Sequence, residues 1–278
     1  WRRMQESLVA IQVAVALALL ASAALLGRSL WNLHQVELGF APVQRSAFEV
    51  TLPYQGYGNY TRTALFHAAV LDRLRALPGV EQGGAEAALE IPLVQENPGS
   101  LSLEYHAVGT AMEVEGAANM ASPDYFRLMG IPILRGRSFA AGDVRAEHPA
   151  IVLSASLARA LFGTTDAVGR LVRNLSPTEY VQRVRDDIVF QVVGVVGDVP
   201  RWKIEAGPSR MAYFPQLRDG DGVPVDSLRI PILMTTARYV VRSNLPLAQL
   251  APAMRTAVRE VDSRVPVTHF TTLSGMVD

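Results

Sequence analysis

The chain contains no cysteine and a single lysine, Lys203. Without cysteine there are no disulfides and no thiolate metal sites, so a domain outside the cytoplasm has to be held by its core alone. That suits a bacterial envelope protein. A formal net charge of 0 argues against a nucleic-acid partner, which selects a concentrated basic surface. No run of Lys or Arg marks a patch for anionic lipid. Catalytic signatures are missing too. There is no Gly-x-x-x-x-Gly-Lys loop for phosphate, no His-Glu-x-x-His and no Gly-x-Ser-x-Gly. The five histidines, His34, His67, His106, His148 and His269, form no i,i+4 pair. Gly194-Val-Val-Gly197 reads as a strand running into a turn rather than a phosphate cradle. Asp186-Asp187 and the Asp219/Asp221 pair read as solvated loop carboxylates. Asn59-Tyr-Thr61 and Asn174-Leu-Ser176 fit the glycosylation pattern, which carries no meaning in a bacterium. No residue is assigned a catalytic, cofactor-binding or metal-binding role, and no cofactor is expected.

What the chain does have is an apolar run, Leu8 to Leu26, whose only polar side chains are Gln12 and Ser22. About nineteen residues at 1.5 Å each suffice for a helix to cross a hydrocarbon core roughly 30 Å thick. Lipid favours a helix because every backbone N–H and C=O is then satisfied internally. Arg2 and Arg3 precede the run, Arg28 can snorkel at its far end, and Trp31 sits at interfacial depth. A cleaved secretory signal is the rival reading, since Ala21-Ser22-Ala23 imitates a cleavage site. The run is longer than a usual signal and continues through Leu25-Leu26, so an uncleaved span over residues 1–30 is expected. The excess of arginine at the start places the N-terminus in the cytoplasm and the remainder outside. The first residue is Trp1, and the expectation is a piece of a longer protein with further spans.

About 250 residues remain, enough for one large or two ordinary domains. Residues 31–44 read as a stalk whose helical part, Leu30 to Leu38, stops at Gly39 and Pro42. Ala47–Leu52 alternates like a strand. Asn59 then offers an N-cap to a helix from Tyr60 to Leu77, with Phe66, Val70, Leu74 and Leu77 on one stripe, Leu65 and Ala69 beside it, and Arg62, Asp72, Arg73 and Arg75 largely off it. Val80–Leu89 reads as the next strand, weakened by Gly83-Gly84. The last forty residues repeat this pattern. A strand at Arg238–Arg242 leads to Pro246 as first helical position. A stripe of Leu247, Leu250, Met254, Val258 and Val261 follows, then a strand at Val265–Phe270. Two such βαβ units, 45–91 and 235–278, predict one split ferredoxin-like α/β domain. Residues 92–234 form its insertion. Alternating runs at Leu101–Val108, Met112–Met120, Ala150–Ser154, Leu171–Asn174 and Ile188–Val196 make it mostly β. Short helices are expected at Pro123–Met129 and Ser156–Phe162, and an exposed loop around Gly220–Gly222.

Several phrases carry a family resemblance. QVAVALALLASAALLGRSLWNL (Gln12–Leu33) and VELGF (Val36–Phe40) resemble the first span of a MacB/FtsX-like ABC-transporter permease. LRALPGVE (Leu74–Glu81), SPDYFRLMGIPILRGRSF (Ser122–Phe139) with Asp143, and FQVVGVVGDV (Phe190–Val199) resemble that family's extracytoplasmic core. The pattern is most similar to one half, the second, of the duplicated permeases common in acidobacteria. The resemblance covers nearly the whole chain. It implies an α+β fold: a transmembrane helix, then a porter-like split βαβ subdomain around a sabre-like β-rich insertion. It also implies further membrane helices after Asp278, a separate or fused ABC ATPase, and placement in the bacterial inner membrane with most of the chain periplasmic. A periplasmic adaptor or a second copy are its other possible partners. The expected role is non-catalytic: coupling cytoplasmic ATP hydrolysis to periplasmic movement. The alternative is a signal-anchored sensor or ligand-binding module, marked by a deep pocket of convergent polar groups.

The topology is testable because the chain has no cysteine of its own. In the full-length parent, Asn59→Cys should react with an impermeant thiol reagent in intact cells and Arg3→Cys should not. The opposite pattern would overturn the orientation.

Overall fold

The computed structural model describes residues 5, 12, 15–28, 38–58, 60–93, 101–140, 142–143, 147–175, 189–201, 208–216 and 235–277. The chain divides into two compact units, Trp1–Leu38 and Gly39–Asp278. In the first, residues 15–28 are helical, and Ser22 Oγ donates to the Ala18 carbonyl at 2.8 Å. Among the described residues no helix is long and apolar enough to cross a membrane. The rest of the apolar run, residues 8–11, 13 and 14, lies outside the described residues, as do the arginines before it and the stalk up to residue 37. Asn59, Ser176, Asp186-Asp187, Lys203 and the loop at 220–222 also lie outside them.

In the second unit the two strand–helix–strand segments interleave. The first comprises β1 (Arg45–Thr51), α1 (Tyr60–Arg75) and β2 (Val80–Ala88). The inserted stretch contributes β3 (Leu101–Ala107), β4 (Glu113–Ala121), α2 (Tyr125–Met129), β5 (Ile133–Gly136), β6 (Ala150–Ser154), α3 (Ala155–Phe162), β7 (Leu171–Leu175), β8 (Val189–Val196) and β9 (Met211–Pro215). The last segment comprises β10 (Thr236–Ser243), α4 (Leu247–Val261) and β11 (Val267–Thr272). The strand order at this end of the sheet is β11-β1-β10-β2. β1 pairs antiparallel with β10 along its whole length, from Arg45↔Arg242 to Thr51↔Thr236. β10 also pairs antiparallel with β2, so β1 and β2 run parallel with β10 between them.

The helical stripes explain the packing. Phe66, Val70 and Leu74 of α1 and Leu250, Met254 and Val258 of α4 are buried, and the two helices touch each other as well as the sheet. Leu65 lies off the seam and is exposed. Phe48 stacks on Tyr239 across the β1–β10 pair with ring centroids 5.1 Å apart, and on Phe270 at 5.4 Å. Each such buried side chain contributes about 1.5–3 kcal/mol. Pro246 precedes the first helical residue of α4 instead of occupying it: at φ −57° and ψ 143° its backbone is still extended and it serves as the N-cap. Tyr57 reaches across to Asp262 at the end of α4, its hydroxyl donating at 2.8 Å. Burial first, and then that carboxylate, push the Tyr57 hydroxyl up to about 12.

The inserted strands close on themselves. Pairings run β4-β3-β7-β8-β6-β9, and β9 pairs in parallel with β4, from Ala117↔Met211 to Ala121↔Pro215. Six strands thus form a ring without edges, with β5 an appendage on β8. α3 packs on β3, β4, β6, β8 and β9. Its seat is made by Gly116, where an added Cβ would lie 3.3 Å from Leu157 and 3.2 Å from Tyr105. Ser154 caps the helix, accepting from the Leu157 N–H at 3.3 Å and from the Met211 N–H at 2.9 Å. Ring and sheet share one registered pair, Ala88↔Ala121.

Val258→Asp would put a carboxylate on a fully buried helix position. We expect a loss of at least about 3 kcal/mol, a fall in melting temperature of roughly 10 °C. An unchanged melting curve would show that the stripe is not packed.

Candidate functional site

The histidines converge on nothing. His67 is buried on α1, its Nδ1 2.5 Å from the Tyr239 hydroxyl. His106 is half-buried and bonds the Thr110 carbonyl within its own hairpin. His148 Nδ1 is buried with no partner among the described residues. His269, left-handed at φ 53°, lies 3.5 Å from Glu49 on β1. His34 lies outside the described residues. Among the described residues no three His, Cys, Asp or Glu side chains gather in a way that could hold a metal ion.

The dense chemistry lies where sheet meets ring. β2 and β4 part after one pair, and their hydrogen bonds are completed by local groups. Leu89 N–H donates to the Met120 carbonyl at 2.9 Å and Ser122 N–H to the Ala87 carbonyl at 3.0 Å. Ser122 Oγ accepts from the Ala87 N–H and donates to its carbonyl, each at 3.0 Å. Asn119 does the same for Glu90, accepting from its N–H at 3.0 Å and donating to its carbonyl at 2.9 Å. Tyr125, at the start of α2, adds a hydroxyl 3.3 Å from that carbonyl. Every backbone group of Glu90 is therefore held by the ring side.

The Glu90 side chain is held as well. Arg201 grips it through Nε and Nη2, both at 2.9 Å, and the two side chains are 10% and 6% exposed. Two parallel charge-assisted bonds of this kind offset the loss of hydration of both ions. A second buried pair braces the sheet side: Arg238 Nη2 meets Glu49 Oε2 at 2.7 Å while its Nη1 donates to the Leu89 carbonyl at 3.1 Å. A third joins Arg75 to the fully buried Glu86 at 2.6 Å. Burial pushes the Tyr125 hydroxyl far above its ordinary value, with Tyr213 and the Glu90 carboxylate adding to the effect. Tyr213 shifts the same way, by burial and then by Glu90. The Tyr125 hydroxyl thus stays protonated and donates to the Glu90 carbonyl. The cleft here is lined by Glu90, Asn119, Tyr125, Arg201, Met211 and Tyr213, among others. Its polar groups face each other, so the arrangement is built to join two bodies.

Of these seam residues only Ser122 and Tyr125 lie in a phrase that stands out in the sequence, SPDYFRLMGIPILRGRSF. Glu90 and Arg201 are separated by 111 positions, and no local pattern links them. The one available signal was compositional: both follow strands and neighbour proline, at Pro92 and Pro200.

The MacB-like periplasmic core domain family matches residues 9–268, and the chain belongs to it. Its members are periplasmic domains of ABC-type transporter permeases, and the fold described here is of that mixed α+β kind. Among solved structures, a domain assigned to a permease protein from Porphyromonas gingivalis is 17% identical, with a TM-score of 0.50 over 84% of this chain and 92% of that one. At that identity the likeness is one of fold. The periplasmic region of MacB from Actinobacillus actinomycetemcomitans is 13% identical, with a TM-score of 0.49 over 88% and 95% of the two chains. The extracellular domain of the ABC-type transporter YknZ from Gram-positive bacteria is 16% identical, with a TM-score of 0.48 over 81% and 100%. No curated protein matches the chain.

Arg201→Ala strands the Glu90 carboxylate in a buried position, and unfolding in urea should show a loss of about 3–5 kcal/mol. The double replacement Glu90→Leu/Arg201→Met removes both charges and should recover most of it. Equal losses for the two variants would mean that packing, not charge pairing, holds the seam.

Proposed function

We propose that this chain is the outer part of a permease half in an ABC-type export or mechanotransmission system, coupling cytoplasmic ATP hydrolysis to movement of a periplasmic domain. The observation that carries the reading is the family match over residues 9–268, which takes in nearly all of the apolar run and most of the outer unit. On this reading Leu8–Leu26 spans the inner membrane with the N-terminus in the cytoplasm, and of the expected stalk, 31–44, residues 39–44 pack as part of the outer unit. Residues 45–91 and 235–278 form a porter-like subdomain, and 92–234 a sabre-like one. The β1–β10 ladder and the closed ring support that division, and the single shared pair at Ala88↔Ala121 supports a narrow joint between the parts. Remaining helices of the same permease, membrane lipid, and a periplasmic adaptor or second copy complete the assembly. The duplicated acidobacterial permeases are the arrangement it would fit.

The chain's part in this is non-catalytic. Nucleotide hydrolysis needs a phosphate loop and a metal-holding carboxylate. These 278 residues contain no glycine loop followed by lysine, so ATP is turned over on a separate chain or domain. A sensor or ligand-binding module would instead present polar groups to a ligand. At the seam, Glu90, Arg201 and Asn119 are engaged with one another and the backbone.

Deleting residues 45–275 from the full-length permease should leave hydrolysis by its ATPase measurable while abolishing export. Export that survives the deletion would overturn the coupling role. Hydrolysis by the purified segment alone would overturn the division of labour.

A further inference from the structure

The outer unit begins not in the sheet but on the ring. Gly39, at φ +69°, lies so close to the end of β8 that an added Cβ would fall 2.1 Å from the Asp198 carbonyl oxygen. Phe40 is buried beside it. Ala41 N–H then donates to the Met129 carbonyl at the end of α2, at 2.7 Å. Gly130 gives that contact room, since a Cβ there would lie 2.9 Å from the Ala41 methyl. Arg45, the first residue of β1, is 7% exposed and reaches back, donating through Nε to the Leu128 carbonyl at 2.5 Å and through Nη1 to the Val43 carbonyl at 2.7 Å. Seven residues, Gly39 to Arg45, thus touch the turn after β8, then α2, and lead into β1.

Asp198 continues the connection inward. Its Oδ1 accepts from the Ser156 N–H at 2.7 Å, and its Oδ2 takes Arg159 Nη2 at 3.0 Å, both on α3. The strap therefore lies close against the backbone of the residue whose side chain holds the helix seated against the ring.

We propose that Gly39–Arg45 is a clasp that passes displacement of the arriving chain to the ring before the sheet, with Gly39 against Asp198 as its contact point. The idea rests on the permease reading above. It deepens that reading by naming the residues through which motion crosses into the outer unit. If the chain were tied to β1 alone, the ring would be driven only across the seam, through the Ala88↔Ala121 pair and the Glu90–Arg201 joint beside it. The strap gives a second path, and the two together make the ring follow instead of hinging at the seam. Gly39 and Asp198 are positioning residues in this scheme.

The test uses the full-length permease with its ATPase. Gly39→Ala should lower export about tenfold while hydrolysis stays within about twofold of wild type, the size of an ordinary coupling effect. Normal export in this variant, where deletion of 45–275 does abolish it, would sink the clasp and leave the permease reading standing. A deletion without effect would instead sink the reading beneath it. Because Gly39→Ala risks misfolding, a wild-type measurement stands beside it. Hydrogen exchange at the Ala41 amide should show the same protection with and without bound ATP, since the clasp stays shut as the domain moves. Loss of protection in either state would overturn it.

Discussion

The antiparallel ladder between β1 and β10 is the pairing on which the outer unit depends. It joins residues almost two hundred positions apart, Arg45 to Arg242 and Thr51 to Thr236, and so closes the loop that holds the whole insertion. Closing so long a loop costs conformational entropy, though the cost grows only slowly with length. Apolar burial and stacked rings offset it: Phe48 on Tyr239 and Phe270, with His67 bonded to the Tyr239 hydroxyl from the helix above. Once that ladder is in place, β2 and β11 have edges to add to, and α1 and α4 come together over one face.

The insertion solves a different problem. A strand-rich excursion from a sheet would expose new edges, and ring closure through β4 and β9 removes them. Sheet and ring belong to one compact unit with a common apolar core, and their strands share the single pair Ala88–Ala121. Polar and specific contacts at the seam add to that core: Asn119 and Ser122 completing the backbone bonds of the parting strands, Arg201 gripping Glu90, and Arg45 reaching α2. Buried pairs of this kind add little net stability, because desolvation cancels much of their attraction. They add geometric definition, since one arrangement satisfies both charges and slipped ones do not.

Much of the local structure was legible in the sequence. The stripes at Phe66/Val70/Leu74 and Leu250/Met254/Val258 marked both helices and their buried faces, and alternation marked most strands. β9 escaped because Met-Ala-Tyr-Phe-Pro does not alternate and ends in proline, which argues against a strand. β5 escaped because it is four residues long and exposed throughout. Arg75 looked like part of a solvated helix face, yet it turns under the helix to the buried Glu86. A long side chain can cross from one face to another, so its position on a helical wheel does not decide its partner.

The sequence by itself determined which segments bury an apolar face, where most of them start and stop, and the family to which the chain belongs. Those properties are written in spacings of two to four residues and in phrases such as GVVGDV, which each segment carries alone. Tertiary structure decided that β9 closes on β4, that Glu90 belongs to Arg201, and that Gly39 lies against Asp198. Each of these joins residues at least 90 positions apart whose side chains or backbones become neighbours only after the chain has doubled back. Such partners are chosen by the shared burial of the assembled whole, and no short stretch of sequence contains that sum.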